Sequence, residues 1–170
     1  IGGVSVGEPE PEMMKAVELA EPHLPAHKAR YAMGLGTPAQ MVELVARGVD
    51  MSDCVLPTRV ARNGTAFTRK GQYGLKGGAY KADFRPIEEG CECFACKHFT
   101  RAYLRHLLNV NEILGLRMVS LHNSYMYVKL MAEVRTALAA GTFADYYQEF
   151  IANFVPSQKI LSARAVAKLE

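Results

Sequence analysis

The sequence has 170 residues, a formal net charge of +3 and 49% hydrophobic residues, which is typical of one globular domain with a sizeable core. The mildly basic charge would suit a polyanionic partner, but it does not require one. No apolar run approaches the length of a membrane span, and nothing at the start resembles a signal peptide. We therefore expect a soluble, cytoplasmic protein without a membrane partner. Because the chain starts at Ile1 and not at methionine, we expect it to be part of a longer protein.

The first third of the chain alternates between helix and strand patterns. Apolar spacing predicts a helix over 10–20, a short buried strand over 29–36, a helix over 37–48 and a second strand over 49–57. Thr37 and Pro38 fit the N-cap and the first position of the second helix, and Gly48 fits its end. Strands and helices in this order favour right-handed crossovers and a parallel sheet.

The pattern changes after Pro57 to a basic, glycine-rich segment, which predicts an irregular loop with short antiparallel strands. Its basic residues are interleaved with three aromatic residues, Phe67, Tyr73 and Tyr80. Such a composition suits phosphate contacts and base stacking, although a solvated basic loop is the simpler interpretation. Beyond the cysteines we expect helices to about residue 154, ending in an amphipathic helix over 143–154 that packs in the core or at an interface.

Three of the four cysteines crowd into six residues, as Cys91, Cys93 and Cys96. A disulfide within so short a stretch is geometrically awkward, whereas three neighbouring thiolates suit a soft-ligand metal. A structural zinc site needs a fourth ligand. The spacing leaves three histidines open for that position: His98, His106 and His122, the last at the expected start of a long helix.

Asp53 lies near the end of the second predicted strand, on the same face as Val49 and Met51. It is either a surface or turn-capping residue or a carboxylate placed in a pocket. In a parallel α/β barrel, active sites lie at the C-terminal ends of the strands, where the glycine-rich stretches 2–8 and 33–36 would also lie. A carboxylate there can act as a nucleophile, a base or a hydrogen-bond acceptor.

Taken together, the motifs GGVSVGE, YAMGLGTP, GVDMSDCVLPTRVARNGTAF, CECFAC and LHN resemble those of the tRNA-guanine transglycosylases, also called queuine tRNA-ribosyltransferases. The resemblance runs from Gly2 to about Phe154. It implies an α/β fold, namely the C-terminal portion of a (β/α)₈ TIM barrel with an inserted zinc-binding subdomain. We expect the last barrel elements in residues 1–65, the zinc-binding subdomain in 66–120 and closing helices in 121–155, with 156–170 unassigned.

The resemblance also implies an activity, the exchange of the wobble guanine in a tRNA with a GUN anticodon for a 7-deazaguanine base. Asp53 matches the family's nucleophile, which forms a covalent intermediate with ribose C1′. A carboxylate suits a glycosidic carbon that tends toward an oxocarbenium ion, and the target base must leave its stack. Val6 at the pocket wall would exclude a large 7-substituent, so the expected incoming base is 7-aminomethyl-7-deazaguanine.

Other family positions carry over residue by residue. The implied base-binding residues are Gly2, Gly3, Val4, Val6, Glu8, Tyr31 and Met33. The implied tRNA-contacting residues are Gly34, Leu35, Gly36, Thr37, Pro38, Ala39 and Gln40, followed by Thr58, Arg59, Val60, Ala61 and Arg62. The implied zinc ligands are Cys91, Cys93, Cys96 and His122, so the resemblance selects His122 where the spacing did not.

Two further expectations follow from the family, and one alternative stands beside it. Its bacterial members form homodimers in which the zinc region takes part. Its general acid/base aspartate and its base-recognising aspartate match nothing in this chain, so we expect the chain alone to be inactive. The alternative is a non-catalytic, zinc-containing module that binds tRNA or a protein partner, and the intact Asp53 argues against it.

Overall fold

The computed structural model describes residues 1–3 and 7–155. Val4 and Val6 of the expected base-binding wall lie outside the described residues, as does the unassigned tail 156–170. The helices are α1 (Glu10–Ala20), α2 (Pro38–Ala46), α3 (Leu56–Ala61), α4 (Phe94–His98), α5 (Arg101–Asn109), α6 (Ile113–Ala139) and α7 (Phe143–Asn153). The strands are β1 (Tyr31–Ala32), β2 (Met51–Ser52), β3 (Thr65–Thr68) and β4 (Gly71–Gly74). Among these helices, none has the length and apolar character that crossing a membrane demands.

The expected parallel pairing is confirmed, in strands shorter than predicted. β1 lies parallel to β2 with Tyr31 opposite Met51, and α2 forms the connection between them. Ile1 also bonds to the backbone around β1, because its nitrogen donates to the Tyr31 carbonyl at 2.6 Å and its carbonyl accepts the Met33 N–H at 2.8 Å. The parallel two-stranded sheet and its connecting helix make the architecture mixed α/β.

The ends of α2 form as the sequence predicts. The Thr37 hydroxyl accepts a hydrogen bond from the Gln40 N–H at 3.3 Å, and the Gln40 side chain accepts from the Thr37 N–H at 2.8 Å. This reciprocal pair is a capping box, which satisfies two donors that a helix start would otherwise leave without partners. Gly48 follows the helix with φ +82°, a left-handed conformation that glycine adopts without steric cost.

The predicted strand over 49–57 was too long. Strand pairing ends at Ser52, and the chain enters α3 at Leu56. Pro57 was taken as the end of a strand, but it lies in the first turn of α3, where proline needs no N–H partner. A short apolar run does not distinguish strand from helix by periodicity alone, and here the proline marked a helix start.

The expected antiparallel strands are confirmed as the β3–β4 hairpin, which pairs Phe67 with Gln72. The base-stacking interpretation of its aromatic residues is wrong for Phe67, which is only 1% exposed and belongs to the core. The half-buried Tyr73 donates its hydroxyl to the Ile87 carbonyl at 2.6 Å. Both rings are thus occupied by packing within the protein.

The long helix α6 begins at Ile113, nine residues before the predicted start at His122. Gly115 weakens the helix signal near that end, since glycine is a poor helix former. It is nevertheless required there, because a Cβ at Gly115 would lie 2.9 Å from the Cβ of Leu107 in α5. The predicted amphipathic helix is confirmed as α7, whose Phe150 is buried in a core shared with Met126 and Leu130 of α6.

Candidate functional site

Four potential metal ligands from two parts of the chain lie close together next to β3. Cys91 and Cys93 precede α4, Cys96 lies within it, and His122 is near the middle of α6. Their ligand atoms all lie within 4.8 Å of one another. His122 Nδ1 is 3.7, 3.5 and 3.4 Å from the sulfurs of Cys91, Cys93 and Cys96. The four residues are therefore placed to bind one metal ion.

The ring of His122 is oriented by the backbone of β3. Its Nε2–H donates to the Phe67 carbonyl at 2.7 Å, and this bond directs Nδ1 at the sulfurs. A metal-binding histidine commonly donates its second ring N–H in this way, because that bond fixes both the tautomer and the ring orientation. His122 has no exposed surface, so bulk water does not compete for its hydrogen bond to the Phe67 carbonyl.

Hydrogen bonds around the start of α4 fix the sulfur of Cys93 and change the pKa values of the thiols. Cys93 is the N-cap of α4, and its sulfur accepts the Cys96 N–H at 3.3 Å. A hydrogen bond from the Cys96 thiol lowers the pKa of the Cys93 thiol to about 4. The same side-chain hydrogen bond raises the pKa of the Cys96 thiol. Burial would lower the pKa of His122, but the hydrogen bonds that the protonated ring makes to Cys91 and Cys93 raise it to about 9. Three sulfurs and one imidazole nitrogen fit tetrahedral zinc with every position filled, which is the arrangement of a structural site.

The other two candidate histidines lie outside this cluster. His98 ends α4 on the exposed side, where its ring packs against Phe94 with centroids 4.4 Å apart. His106 is exposed on α5. Of the three histidines that the spacing left open, the structure brings only His122 to the cysteines.

Asp53 follows β2 and is held by two donors from the end of β1. Its Oδ1 accepts a hydrogen bond from the Tyr31 hydroxyl at 2.5 Å and another from the Gly34 N–H at 2.9 Å. These bonds, that of Tyr31 first, lower the pKa of Asp53, and the same contact raises the pKa of Tyr31. The carboxylate is exposed, ionised and fixed in orientation.

The strand ends gather several predicted base-binding residues around Asp53. Tyr31 and Met33 are both exposed, Met33 by 61%, and a Cβ on Gly2 would lie 3.9 Å from the Cβ of Met33. Gly3 and Glu8 are also exposed. The contact between Tyr31 and Asp53 was not predicted. Strand register could have indicated it, because Tyr31 lies opposite Met51 and Asp53 is two residues further along on the same face.

The predicted tRNA-contacting residues differ widely in exposure. In the first segment Gly34 is exposed and Thr37 and Ala39 are half-buried, whereas Leu35, Gly36, Pro38 and Gln40 are buried. In α3, Thr58 and Arg59 are exposed, Val60 is half-buried and Ala61 is buried, and Arg62 directly after the helix is exposed. The side chains best placed for an RNA backbone are therefore those of Arg59 and Arg62.

One basic residue of the hairpin is already paired. The Arg69 guanidinium forms a two-pronged ion pair with the Glu133 carboxylate of α6, and its backbone N–H donates to the Glu88 carboxylate at 2.6 Å. Arg69 thus joins the hairpin, the segment before the cysteines and α6. This role is structural, and the composition of the segment gave no indication of it.

Asn123 is a buried polar residue that the sequence analysis missed, although it belongs to the LHN motif. Its Oδ1 accepts the Phe67 N–H at 2.9 Å, and its Nδ2 donates to the Pro57 carbonyl at 2.9 Å and the Thr65 carbonyl at 3.0 Å. A buried amide with all of these partners ties three segments together. Its position directly after His122 was the only sequence signal.

Comparison with known proteins gives a consistent result. The sequence model of the queuine tRNA-ribosyltransferase family matches residues 1–156. The queuine tRNA-ribosyltransferase of Symbiobacterium thermophilum is 54% identical over 151 residues, which cover 89% of this chain and 38% of that protein. The protein of the same name in Bacillus subtilis is 47% identical over 154 residues, covering 91% and 40%. The chain thus spans about two fifths of the length of these relatives. It belongs to the queuine tRNA-ribosyltransferase family.

Proposed function

We propose that this chain is the C-terminal part of a tRNA-guanine transglycosylase, a cytoplasmic pentosyltransferase that exchanges the wobble guanine of GUN anticodons for 7-aminomethyl-7-deazaguanine. The observation that carries the proposal is the Asp53 carboxylate, held by the Tyr31 hydroxyl and the Gly34 N–H at the strand ends. Family membership agrees with it. A TIM barrel with an inserted zinc subdomain is the fold we propose for the longer protein.

In this proposal Asp53 is the nucleophile. Both donors bind Oδ1, so we assign the attack on ribose C1′ to Oδ2. The C1′–N bond to guanine breaks as the C1′–O bond forms, and the base leaves with the electron pair and a proton from an acid elsewhere in the longer protein. The incoming base then gives the proton of its ring nitrogen to the conjugate base of that acid, attacks C1′ and releases the Asp53 carboxylate. A lowered pKa keeps the carboxylate ionised for this step.

The surrounding residues take supporting roles in the same proposal. Tyr31 and Met33 flank the flipped base, and the backbone of Gly2 and Gly3 lies against its edge. The exposed Arg59 of α3 and Arg62 at its C-cap contact phosphates, and these contacts position the tRNA without reading its sequence. The four ligands of the metal cluster hold zinc, which supplies structural stability and takes no part in the reaction.

The experiment that tests the proposal measures exchange of labelled guanine into an anticodon stem-loop RNA. It uses this chain alone and the chain joined to the part of the Symbiobacterium thermophilum relative that it does not cover, hereafter the fusion. We expect exchange by the fusion only. Asp53→Asn should abolish it, because an amide is a poor nucleophile, while zinc content and folding persist.

Asp50→Asn is the matched control, since Asp50 directly precedes β2, as Asp53 directly follows it, and accepts the Arg30 N–H at 2.8 Å. It should retain exchange. Full activity of the Asp53→Asn fusion would refute the assignment of the nucleophile. Stem-loop binding by a wild-type fusion that carries out no exchange would instead favour the non-catalytic binding module.

A further inference from the structure

Two consecutive side chains of α6 hold both polar backbone groups of one residue in β3. His122 Nε2–H donates to the Phe67 carbonyl at 2.7 Å, and Asn123 Oδ1 accepts the Phe67 N–H at 2.9 Å. Neither side chain has any exposed surface. The N–H and C=O of a strand residue point to the same side of the strand, so His122 and Asn123 together close the side of β3 that faces away from β4.

The amide group of Asn123 also reaches the start of α3. Its Nδ2 donates to the Pro57 carbonyl at 2.9 Å and to the Thr65 carbonyl at 3.0 Å. α3 has six residues, and its N-cap Val55 provides no side-chain hydrogen bond. A helix this short is unstable by itself, so its position depends on tertiary contacts. Asn123 supplies the buried polar contact that joins its first turn to β3.

We propose that Asn123 is a positioning residue that couples metal binding at His122 to the placement of α3. The metal would fix the His122 ring through Nδ1, and the ring would fix the Phe67 carbonyl through Nε2. Asn123 accepts the N–H of Phe67 and donates to the Pro57 carbonyl, so a fixed position of Phe67 also fixes the first turn of α3. A metal that binds only the ordered arrangement also stabilises α3. The importance of α3 rests on the proposed function, but the coupling is measurable without RNA.

The first test is hydrogen exchange in the fusion, with zinc bound and after its removal by a chelator. The reporters are the backbone amides of Arg59 in α3 and of Arg62 at its C-cap, which donate to the Val55 and Thr58 carbonyls. We expect zinc removal to speed their exchange more than that of amides in α7, whose Phe150 packs in a different core cluster from the cysteines. An equal rise in α3 and α7, or an unchanged α3, would overturn the coupling.

The second test is Asn123→Ala with zinc still bound. Zinc content should match the wild type, while exchange of the α3 amides should rise by about tenfold or more, as expected for the loss of buried hydrogen bonds. The near-isosteric Asn123→Leu serves if the alanine variant does not fold. Val134→Ala is the control, because it also truncates a buried side chain of α6 but lies about three helical turns beyond Asn123 and removes no hydrogen bond. Unchanged α3 exchange in a folded Asn123 variant would refute the proposal.

Binding of the anticodon stem-loop then separates this inference from the proposed function. If Asn123→Ala loosens α3 and weakens RNA binding relative to Val134→Ala, both are supported. If it loosens α3 and leaves RNA binding unchanged, the coupling stands and the assignment of α3 as a tRNA-contacting segment fails.

Discussion

Asp53 carries its carboxylate at the surface, where water alone would leave its pKa near the ordinary value of about 3.9. The Tyr31 hydroxyl and the Gly34 N–H lower that pKa because they bind the ionised form. These bonds stabilise the folded protein above the unfolded-state pKa, and their contribution is lost as the pH falls through the lower folded-state pKa. The same bonds keep the proposed nucleophile ionised under mildly acidic conditions.

Replacement of Tyr31 by phenylalanine removes the hydroxyl and keeps the ring. The pKa of Asp53 should rise toward its ordinary value, so the acid limb of the guanine-exchange rate should move to higher pH. The measurement is the pH–rate profile of the Tyr31→Phe fusion, with Tyr103→Phe on α5 as the control. An acid limb that stays in place would show that Tyr31 does not set the ionisation of Asp53.

The metal ligand His122 differs from His98 in burial and in partners. His122→Ala should release zinc and lower the free energy of unfolding by about 2.7 kcal/mol or more at zinc a hundredfold above its Kd. His98→Ala should change neither quantity, because His98 is exposed and outside the cluster. Zinc content by elemental analysis and chemical denaturation of both variants check this. Zinc loss from the His98 variant would contradict the ligand assignment.

At the scale of elements, the start of α2 contains a predicted tRNA-contacting residue, Thr37, that has a structural role within the protein. Thr37 was placed among the tRNA contacts by resemblance, and its hydroxyl caps the helix. Its side chain therefore has a structural partner already. The neighbouring Pro38 and Gln40 are buried, so this segment offers RNA mainly its exposed Gly34.

Thr37→Ala should destabilise the protein by about 1 kcal/mol, the usual cost of losing an N-cap side chain. Urea denaturation monitored by circular dichroism measures it. Thr136→Ala is the control, because its hydroxyl bonds only to the Ala132 carbonyl on the exposed side of α6. An equal loss in both variants would mean that the capping box contributes nothing specific.

At the scale of the whole molecule, we propose that the zinc region takes part in a homodimer. Phe94 and Tyr103 expose 53% and 46% of their surfaces on neighbouring helices, and Phe99 stacks on Tyr103 with centroids 5.9 Å apart. Exposed aromatic clusters of this kind are enriched at protein interfaces. The cluster lies next to the metal ligands, so a dimer formed there would depend on the metal-stabilised fold.

The variant Tyr103→Glu places a charge in this cluster and should shift the fusion from dimer to monomer. Analytical ultracentrifugation measures the change. Leu19→Glu on α1 is the control, since Leu19 is exposed by 65% and distant from the zinc region in the chain. A fusion that stays dimeric with Tyr103→Glu would place the interface elsewhere.

The sequence by itself determined the elements whose signals are local. The helix α1, the capped start of α2, the β3–β4 hairpin and the amphipathic α7 were predicted because periodicity, caps and turn residues act within a few positions. The three cysteines predicted a metal site for the same reason. The family motifs selected His122 as the fourth ligand, which the structure places with the cysteines, and predicted a nucleophile at Asp53.

Tertiary structure alone decided the rest, because those features join residues that are distant in the chain. Only packing brought Tyr31 to Asp53, tied Arg69 to Glu133 and set Asn123 between α3 and β3. Packing against α5 extended α6 back through Gly115, where local propensity favoured an interruption. Local propensity is worth about 1 kcal/mol per residue at most for such a glycine, so a well-packed contact overrides it.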